Sequence, residues 1–457
     1  EGEGISVKFV GFIYSVTMEK RGYKTERKHG KKWEAVDWAG NASMYEINIR
    51  QYTPEGTFNA FISHLPRLKE LGINILWFMP ITPISRKNKK GTLGSYYAVQ
   101  NYRQVNPDYG TLEDFKNLVK QAHGKGFKVI LDWVANHTGW DNPLIEEHPD
   151  WYIQKEGEIV SPVEDWSDVA GLDYNNRDLR DYMIESLLFW VRETEIDGYR
   201  CDMAALVPVD FWEEAREALE KVKPVFMLAE AWEPLLTEKA FDACYGWGLH
   251  HLMNDIAQHK EDGTALPGYF HKVETLYSRS TIILNFIDNH DENSWQGYIT
   301  ERLGEAFRGY AVLMYTVPGM PLVYTGQEVC LNKRLSFFEK DVVEWEENPE
   351  LALFYRKLNE LKHQNPALLT GNDPGCFHII PHSNEKEIFV FERYKAENHI
   401  IVVLNFSAEN QELHLESVLS GSFLEYFENE KTENLHHLIL SPFAYKVYVK
   451  QFSPYAF

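Results

Sequence analysis

Short apolar runs alternate along this chain with longer segments of helical periodicity, and the alternation limits the folds open to it. Repeated strand–helix units predict a parallel sheet covered by helices. One of the helices opens with Thr111 and Asp114 in capping-box spacing. An eighth strand near Ala243–Trp247, where glycines and aromatics leave no clean period, would complete an α/β fold of the (β/α)8 TIM barrel type. The other seven predicted strands are Met44–Ile49, Ile73–Met79, Phe127–Val134, Gly198–Asp202, Val225–Ala229, Thr281–Ile287 and Pro321–Tyr324.

Two segments depart from this alternation and suggest further domains. Residues 135–176 are rich in Trp, Asp, Pro and Asn without helical period, which predicts an inserted subdomain. After Gln364 the pattern is purely strand-like, which predicts a C-terminal all-β domain. We therefore divide the chain as follows: 1–40, an N-terminal extension of unknown role; 41–134 and 177–365, the barrel; 135–176, inserted subdomain B; 366–457, a C-terminal β-sandwich domain.

Composition and charge exclude several classes of partner. The formal net charge of −22 repels phosphate backbones and anionic lipid surfaces, so we expect neither nucleic acid nor membrane insertion. Four cysteines lie far apart without metal-ligand spacing, which predicts free thiols. The acidic start Glu1–Gly4 carries no intact targeting segment, so a mature exported form and a cytoplasmic protein both fit. The sequence leaves the oligomeric state open.

Polar side chains follow four of the predicted strands where those strands end. Parallel barrels carry their chemistry at the C-terminal ends of the strands, so these groups are expected to converge at one mouth. Arg200 and Asp202 stand two apart on a strand and point to the same side. The segments concerned are Asp132–His137, Arg200–Asp202, Glu230 and Asp288–Asp291.

Such a cluster suits glycoside hydrolysis, which uses two carboxyl groups. Asp202 suits the nucleophile because Arg200 would keep it ionised, and Glu230 follows apolar residues that favour the protonated form of an acid. Each residue also has a simpler explanation, since a strand-end Asp is usually a cap or turn residue and an Arg beside an Asp is usually a structural ion pair. Those explanations weaken when four strand ends deliver such groups, because clustered like charges cost desolvation and repulsion.

Several motifs resemble the signature regions of the α-amylase superfamily, glycoside hydrolase family 13. The segments DWVANH, DGYRCD, AEAW and DNHD occur in the family's order. GINILWFMPITP is similar to the second-strand region, GMPLVYTGQE to the eighth-strand region, and GLDYNN to a motif near the end of the inserted subdomain. SYYAVQNYRQVNPDYGT is similar to the family's SPYSVxDYxxVNPxYGT stretch. The resemblance covers roughly residues 44–330, and the strand-rich tail fits the family's C-terminal domain.

Carried over residue by residue, the resemblance implies that Asp202 is the nucleophile, Glu230 the general acid/base and Asp291 the transition-state stabiliser. Asp132 matches a mainly supporting carboxylate. The family needs no cofactor for catalysis, although many members hold a structural calcium at positions matched here by Asn136 and Asp173. The resemblance also implies four substrate-binding residues, namely Tyr97, His137, Arg200 and His290.

The chain departs from the family pattern in three places. Ala205 and Leu206 stand where many α-amylases have Lys-His, which removes groups associated with leaving-side sugar contacts and with the calcium site. A structural calcium is therefore left open. Asn101 replaces the usual aspartate of the DY pair. No long N-terminal β domain precedes the barrel, which argues against the neopullulanase and cyclomaltodextrinase type.

The sequence thus predicts a retaining, α-amylase-like glycosidase that cleaves α-1,4-glucosidic bonds of starch, maltodextrins or related α-glucans. An α-glucosidase or a 4-α-glucanotransferase of the same superfamily is the alternative among enzymes, because both share the catalytic trio. A non-catalytic binding scaffold is disfavoured, since the whole trio is present.

Overall fold

The computed structural model describes residues 33–346, 348–415 and 420–450. Most of the N-terminal extension predicted for 1–40 therefore lies outside the described residues. The chain divides into two compact units, of which the first contains Met44–Tyr245 and Leu335–Glu344 and the second contains Asp37–Ser43, Gly246–Arg334 and the chain from Trp345 on. The four cysteines are free thiols, as predicted. None of the described helices combines the length and the apolar character needed to cross a bilayer.

Eight strands close into a parallel barrel whose neighbours follow the order β1-β12-β11-β10-β9-β8-β3-β2, which confirms the predicted fold. The eighth predicted strand is present as Ala243–Tyr245. Strands are numbered in chain order up to Tyr324 as β1 (Met44–Ile47), β2 (Ile75–Phe78), β3 (Lys128–Val134), β4 (His137–Gly139), β5 (Gln154–Lys155), β6 (Glu158–Ile159), β7 (Val169–Gly171), β8 (Gly198–Asp202), β9 (Phe226–Ala229), β10 (Ala243–Tyr245), β11 (Ile282–Asn285) and β12 (Met320–Tyr324).

The register of three neighbouring strands brings their carboxyl ends together. Asp132 of β3 pairs with Arg200 of β8, and Cys201 pairs with Ala229 of β9. The amide of Glu230, one residue beyond β9, donates to the carbonyl of Cys201 at 3.0 Å. Side chains alternate along a strand, so Asp132 and Arg200 share one face of the sheet.

The outward face of β8 is fixed by its contact with a helix. The hydroxyl of Tyr199 donates to the carbonyl of Leu187 at 2.6 Å, so Tyr199 points away from the barrel axis and Arg200 towards it. At the start of the strand, Gly198 lies against β9. A Cβ atom there would lie 2.0 Å from the carbonyl oxygen of Phe226, so only glycine fits.

Helices begin where the sequence supplies caps. Thr111 Oγ accepts the amide of Asp114 at 3.1 Å, and Asp114 Oδ2 accepts the amide of Thr111 at 2.8 Å, which confirms the predicted capping box. Asn176 caps a later helix by accepting two amides. The helices are α1 (Ile49–Tyr52), α2 (Phe58–Ile62), α3 (Leu65–Leu71), α4 (Leu112–Gly124), α5 (Leu144–Glu147), α6 (Arg177–Thr194), α7 (Val209–Glu220), α8 (Trp247–Ala257), α9 (Ala265–Leu276), α10 (Ile299–Leu303), α11 (Phe307–Thr316) and α12 (Pro349–Gln364).

The chain between β3 and α6 forms two small antiparallel pairs, β4 with β7 and β5 with β6. His137 pairs with Gly171, and the amide of Leu172 donates to the carbonyl of Asn136 at 3.1 Å. This pairing returns the inserted segment to the end of β3. Its status as a subdomain of its own remains a prediction.

The C-terminal part is all-β, as predicted, with a six-stranded sheet in the order β13-β14-β15-β20-β17-β18 and a two-stranded sheet β16-β19. One hydrophobic core joins residues of both sheets, including Val390 and Val403 from the larger and Leu413 and Leu440 from the smaller. The strands are β13 (Cys376–Ile379), β14 (Ile388–Lys395), β15 (Asn398–Asn405), β16 (Gln411–His414), β17 (Ser420–Glu425), β18 (Glu430–Asn434), β19 (His437–Leu440) and β20 (Tyr445–Lys450).

Candidate active site

Arg200 is the centre of the carboxylate cluster in the first unit, and its side chain is fully buried. Its Nη1 atom lies 2.8 Å from Asp132 Oδ1 and 3.2 Å from Asp202 Oδ1. Its Nη2 atom lies 2.9 Å from Glu230 Oε2, although the N–H direction does not meet hydrogen-bond geometry, so this contact is an ion pair. The structure thus brings two predicted residues, Asp202 and Glu230, and the supporting carboxylate of Asp132 around the guanidinium of a third, Arg200.

The charge state of Arg200 is fixed by these neighbours. Burial alone would lower its pKa, but the carboxylates of Asp132 and Glu230 outweigh burial and hold the pKa well above the ordinary range. The guanidinium also lies over the ring of Trp77, with its carbon 5.1 Å from the ring centroid. Arg200 is therefore a permanent cation between carboxylates.

Tyr97 joins the cluster through Asp132. Its hydroxyl donates to Asp132 Oδ2 at 3.1 Å, and the indole N–H of Trp77 donates to the same oxygen at 3.2 Å. The ring of Tyr97 stacks on Phe337 with centroids 6.4 Å apart and planes 16° apart. Asp132 accordingly orients Arg200 and Tyr97 together, and one face of the Tyr97 ring is set by Phe337.

The surroundings of Glu230 differ from the apolar ones that the sequence suggested. Its Oε2 atom accepts the amide N–H of Met203 at 2.8 Å and lies beside the Arg200 cation. Met203 has φ +43°, a left-handed conformation that costs energy in a residue with a side chain. Met203 comes directly after Asp202, the last residue of β8. Its conformation directs a backbone N–H at the carboxylate of Glu230, the residue that follows β9.

Two members of the cluster were missed by the sequence reasoning. Tyr245 ends β10, and its hydroxyl accepts a hydrogen bond from Nε of Arg200 at 3.1 Å. Trp77 lies in the interior of β2 and binds Asp132. A hydroxyl at the C-terminal end of a barrel strand was a signal for Tyr245, but that strand had no clear periodicity. Trp77 gave no signal, because a tryptophan within an apolar run reads as core.

His137 lies at the start of β4, directly after the end of β3. Its Nδ1 atom lies 3.1 Å from Nδ2 of Asn136, and its ring contacts Trp166 with centroids 5.5 Å apart. The side chain is buried between the barrel strand and the inserted segment. Contact of His137 with substrate remains a prediction.

Asp291 and His290 form a pair in the second unit, following β11. His290 Nε2 lies 3.3 Å from Asp291 Oδ2, and His290 is buried while the Asp291 side chain is 37% exposed. Asn289 Oδ1 accepts the amides of Asp291 and Glu292, at 3.0 and 2.8 Å. This turn presents the carboxylate of Asp291 to solvent beside a buried imidazole.

A His–Glu contact and an Arg–Asp ion pair hold the same segment in place, and the sequence reasoning did not assign them. His250 Nε2 lies 2.9 Å from Glu292 Oε2. Arg302 Nη2 lies 2.9 Å from Asp288 Oδ1 and donates to the carbonyl of Ile287 at 2.8 Å. Residues on both sides of the Asp291 turn are thus fixed by buried charge-assisted contacts.

Besides Asn136 and Asp173, the inserted segment offers Asp165 and Asp168 as oxygen donors for calcium, and other groups of the protein engage these residues. Lys90 Nζ lies 3.2 Å from Asp168 Oδ1 and donates to the carbonyl of Asp165 at 3.0 Å. Asp173 Oδ1 accepts both the amide and the side-chain N–H of Asn175, at 3.0 and 2.9 Å. Calcium needs six to eight converging oxygens. The ammonium group of Lys90 already neutralises the carboxylate of Asp168. These residues, as placed, do not fit a calcium cage.

Comparison with known proteins matches most of the chain to two family models and to solved structures. Residues 26–352 match the family model of the alpha amylase catalytic domain, and 377–447 match that of the maltogenic amylase C-terminal domain. The solved structure of a maltogenic α-amylase from Thermotoga neapolitana is similar with a TM-score of 0.84 and 29% identity, over 90% of this chain and 99% of that chain.

Two curated relatives are longer than this chain. A maltogenic α-amylase of Bacillus acidopullulyticus is 28% identical over 389 residues, which cover 79% of this chain and 64% of the relative. An α-amylase of Haloarcula japonica is 25% identical over 410 residues, which cover 86% of this chain and 59% of the relative. The chain therefore spans less than two thirds of these two relatives. Since the catalytic-domain model matches well over half of the chain, the chain belongs to the α-amylase family, glycoside hydrolase family 13.

Proposed function

We propose that this chain is a retaining glycoside hydrolase that cleaves α-1,4-glucosidic bonds in starch, maltodextrins or related α-glucans. One observation carries the proposal: the carboxylates of Asp202 and Glu230 contact two nitrogens of the same guanidinium. Retaining glycosidases need two carboxyl groups about 5–5.5 Å apart. Because both carboxylates contact one guanidinium, they lie near each other, which supports the retaining rather than the wider inverting arrangement.

In the first half of the reaction, Asp202 attacks the anomeric carbon of the bound sugar and Glu230 delivers a proton to the glycosidic oxygen. The bond between that carbon and that oxygen breaks, the shortened glucan leaves as an alcohol, and a glycosyl ester forms on Asp202. Arg200 lies 3.2 Å from Asp202 Oδ1 and favours the carboxylate form that the attack requires.

In the second half, Glu230 removes a proton from water, and the resulting hydroxide attacks the same carbon. The ester bond to Asp202 breaks, the carboxylate is restored, and Glu230 is again protonated. Two inversions give a product with the α configuration of the substrate. The reaction is complete with carboxyl groups and water and has no step that calls for a metal.

The other predicted residues receive binding roles in this proposal. Tyr97 offers its ring to the face of the sugar at the cleaved bond, supported by Phe337 behind it. His137 and His290 offer imidazole nitrogens to sugar hydroxyls. Asp291, beside His290, stabilises the positive charge that develops on the ring in the transition state.

Product analysis separates this proposal from its enzymatic alternatives. Incubation with amylose, maltotriose and pullulan, followed by chromatography, should give shortened α-1,4 oligosaccharides. An α-glucosidase would release only glucose from chain ends, and a 4-α-glucanotransferase would form longer products from maltotriose without new reducing ends. NMR should show α-anomers first, and an initial β-anomer would refute the retaining mechanism.

The Asp202→Asn variant tests the nucleophile. An amide cannot form the glycosyl ester, so starch hydrolysis should fall by about 10³-fold or more while the fold is kept. Asp181→Asn, on an exposed helix position, is the matched control and should retain full activity. Normal hydrolysis by the Asp202 variant would refute the assignment.

A further inference from the structure

Three side chains of metal-binding type converge on strands β16 and β19 of the C-terminal domain. Glu412 Oε1 lies 2.7 Å from His437 Nε2 and 3.2 Å from His414 Nε2. The imidazoles of His414 and His437 stack in parallel, with centroids 4.5 Å apart and planes 4° apart. The three ligand atoms lie within 4.8 Å of one another. The ring planes are parallel, so one imidazole must turn for both nitrogens to face one ion together with Glu412 Oε1.

Strand register, rather than chance side-chain rotamers, places the three residues together. His414 and His437 are direct partners in the antiparallel pair. Glu412 stands two residues before His414 and so shares its face of the strand. Leu413, between them, points to the opposite face and belongs to the hydrophobic core. The backbone thus fixes the outward face on which the two imidazoles and the carboxylate lie.

The fold itself does not require this convergence. All three side chains are exposed, and on the same strands the core is supplied by Leu413 and Leu440. Exposed polar residues in a strand ordinarily spread into solvent, and surface ion pairs contribute little stability. Here, two imidazoles instead share a single carboxylate oxygen.

We propose that Glu412, His414 and His437 bind a divalent transition metal ion of the zinc class. Tetrahedral zinc with ligands at about 2.0–2.1 Å holds neighbouring ligand atoms about 3.3 Å apart. The two separations from Glu412 Oε1, 3.2 and 2.7 Å, reach that value with movements of about 0.6 Å or less. The two histidine ligand atoms are no more than 4.8 Å apart before either ring turns. Imidazole and carboxylate donors suit zinc, nickel and copper, whereas calcium prefers oxygen alone.

The expected coordination leaves a fourth position to water. Each histidine gives its Nε2 lone pair to the ion, so binding displaces any proton held on that nitrogen. Because the ligands come from two strands, the ion would connect β16 to β19 directly. Metal binding to the folded chain alone would therefore stabilise it, and the stabilisation would rise with the logarithm of the metal concentration.

Isothermal titration with ZnCl2, on the whole chain after chelator treatment and dialysis, tests the proposal. We expect one bound ion per chain, with affinity lowered more than about tenfold in His414→Gln, His437→Gln and Glu412→Gln. The matched control is His436→Gln, which changes a neighbouring exposed histidine and should bind zinc as the unchanged chain does. Visible absorption of added Co²⁺ should report a tetrahedral site that these three variants lose.

Melting temperatures measured with and without zinc distinguish the possible outcomes. Zinc should raise the melting temperature of the unchanged chain and of His436→Gln, and it should not raise that of His437→Gln. Equal zinc affinity in His437→Gln and the unchanged chain would overturn the proposal, as would an equal loss in His436→Gln. Because the three side chains are exposed, the melting temperatures of the metal-free variants should lie within about 3 °C of that of the unchanged chain, which shows that they fold.

Discussion

Asp132 Oδ1 lies 2.8 Å from Nη1 of Arg200, and both side chains are shut off from solvent. The two residues are register partners on neighbouring strands, so the pair is set by the backbone of the barrel. The same guanidinium then reaches Asp202 and Glu230. Arg200 therefore positions Asp202 and Glu230, the two proposed reacting carboxyl groups, while Asp132 positions Arg200.

Replacement of Arg200 by lysine should damage both stability and catalysis. A single ammonium cannot replace the planar contacts to three carboxylates, and unpaired buried charges cost about 3–5 kcal/mol. We expect urea unfolding to show a decrease of that size in the free energy of unfolding. We also expect kcat to fall at temperatures where the variant is folded. Arg192→Lys, at an exposed surface pair, should change neither quantity, and a stable, fully active Arg200→Lys would contradict the positioning role.

Glu230→Gln should show a dependence on the leaving group that identifies the acid. General acid catalysis contributes about 10²–10⁴-fold, and that factor should be lost on starch. An aryl α-glucoside with an acidic phenol needs little protonation, so its first step should be nearly unaffected. Burst kinetics with both substrates measure this difference, and an equal loss on both would assign Glu230 another role.

Gly198→Ala should destabilise the barrel, because a Cβ would lie 2.0 Å from the carbonyl oxygen of Phe226. We expect a loss of about 3 kcal/mol in the free energy of unfolding. The matched control is Gly268→Ala within α9, where a Cβ meets nothing within 4 Å. That change should stabilise the chain by about 0.5–1 kcal/mol through helix propensity, and similar effects of the two substitutions would contradict the close-approach argument.

Asp197 should give the chain an acid-sensitive share of its stability. Burial alone would raise the pKa of Asp197, but hydrogen bonds from His123 and the Val129 amide and the charge of Lys223 outweigh burial and lower it. The stabilisation by ionised Asp197 is therefore fully present at pH values above the ordinary Asp pKa of about 3.9. It is lost as the pH falls through the lower pKa that Asp197 has in the folded chain.

The Asp197→Asn variant should accordingly be less stable than the unchanged chain near pH 7, by about 1–3 kcal/mol. The difference should narrow as pH falls below about 4. Urea unfolding at several pH values measures it, with Asp181→Asn as the exposed control. A difference that stays constant down to pH 3 would refute the assignment.

Lys90 should govern the response of the inserted segment to calcium. Its ammonium pairs with Asp168, whose side chain is only 8% exposed. EDTA should leave starch hydrolysis by the unchanged chain within about twofold, because no step uses calcium. In Lys90→Ala the carboxylate loses its cation, so the melting temperature should fall and added CaCl2 should restore part of it. Lys87→Ala is the control, and full loss of fold and activity in EDTA would contradict this prediction.

The barrel and the positions of its polar strand ends could be predicted, because burial on both faces leaves continuous apolar runs and parallel strands end together. In the C-terminal domain the strand-like runs predict five strands, at Glu387–Arg393, His399–Leu404, Gln411–Leu415, Ser422–Phe427 and Ala444–Val449, and they miss β13, β18 and β19. Of these three, β18, with the sequence EKTEN, lies at the edge of its sheet. An edge strand with charged residues gives no alternating hydrophobic pattern.

Contacts within the site were less predictable than its members. The sequence placed Glu230 among apolar neighbours along the chain, whereas its carboxylate contacts Arg200 and the amide of Met203. The contacts come from β8 and from the residue directly after it, so only strand register reveals them. Lys90 shows the same limit, since it is 78 positions away in sequence from Asp168 yet supplies its charge partner.

The crowding of carboxylates around Arg200 has an energetic meaning for catalysis. Three carboxylates and one guanidinium carry a formal net charge of −2. When Glu230 holds its proton, the net charge of the cluster is −1. This negative charge stabilises a neutral sugar only a little. It stabilises an oxocarbenium-like transition state strongly, because the charged groups are already in place and need not reorganise. Folding brings these carboxylates together against their mutual repulsion. Positive charge on the sugar ring reduces that repulsion in the transition state. Ring-shaped amines that carry such a charge permanently should therefore bind more tightly than the sugars they imitate.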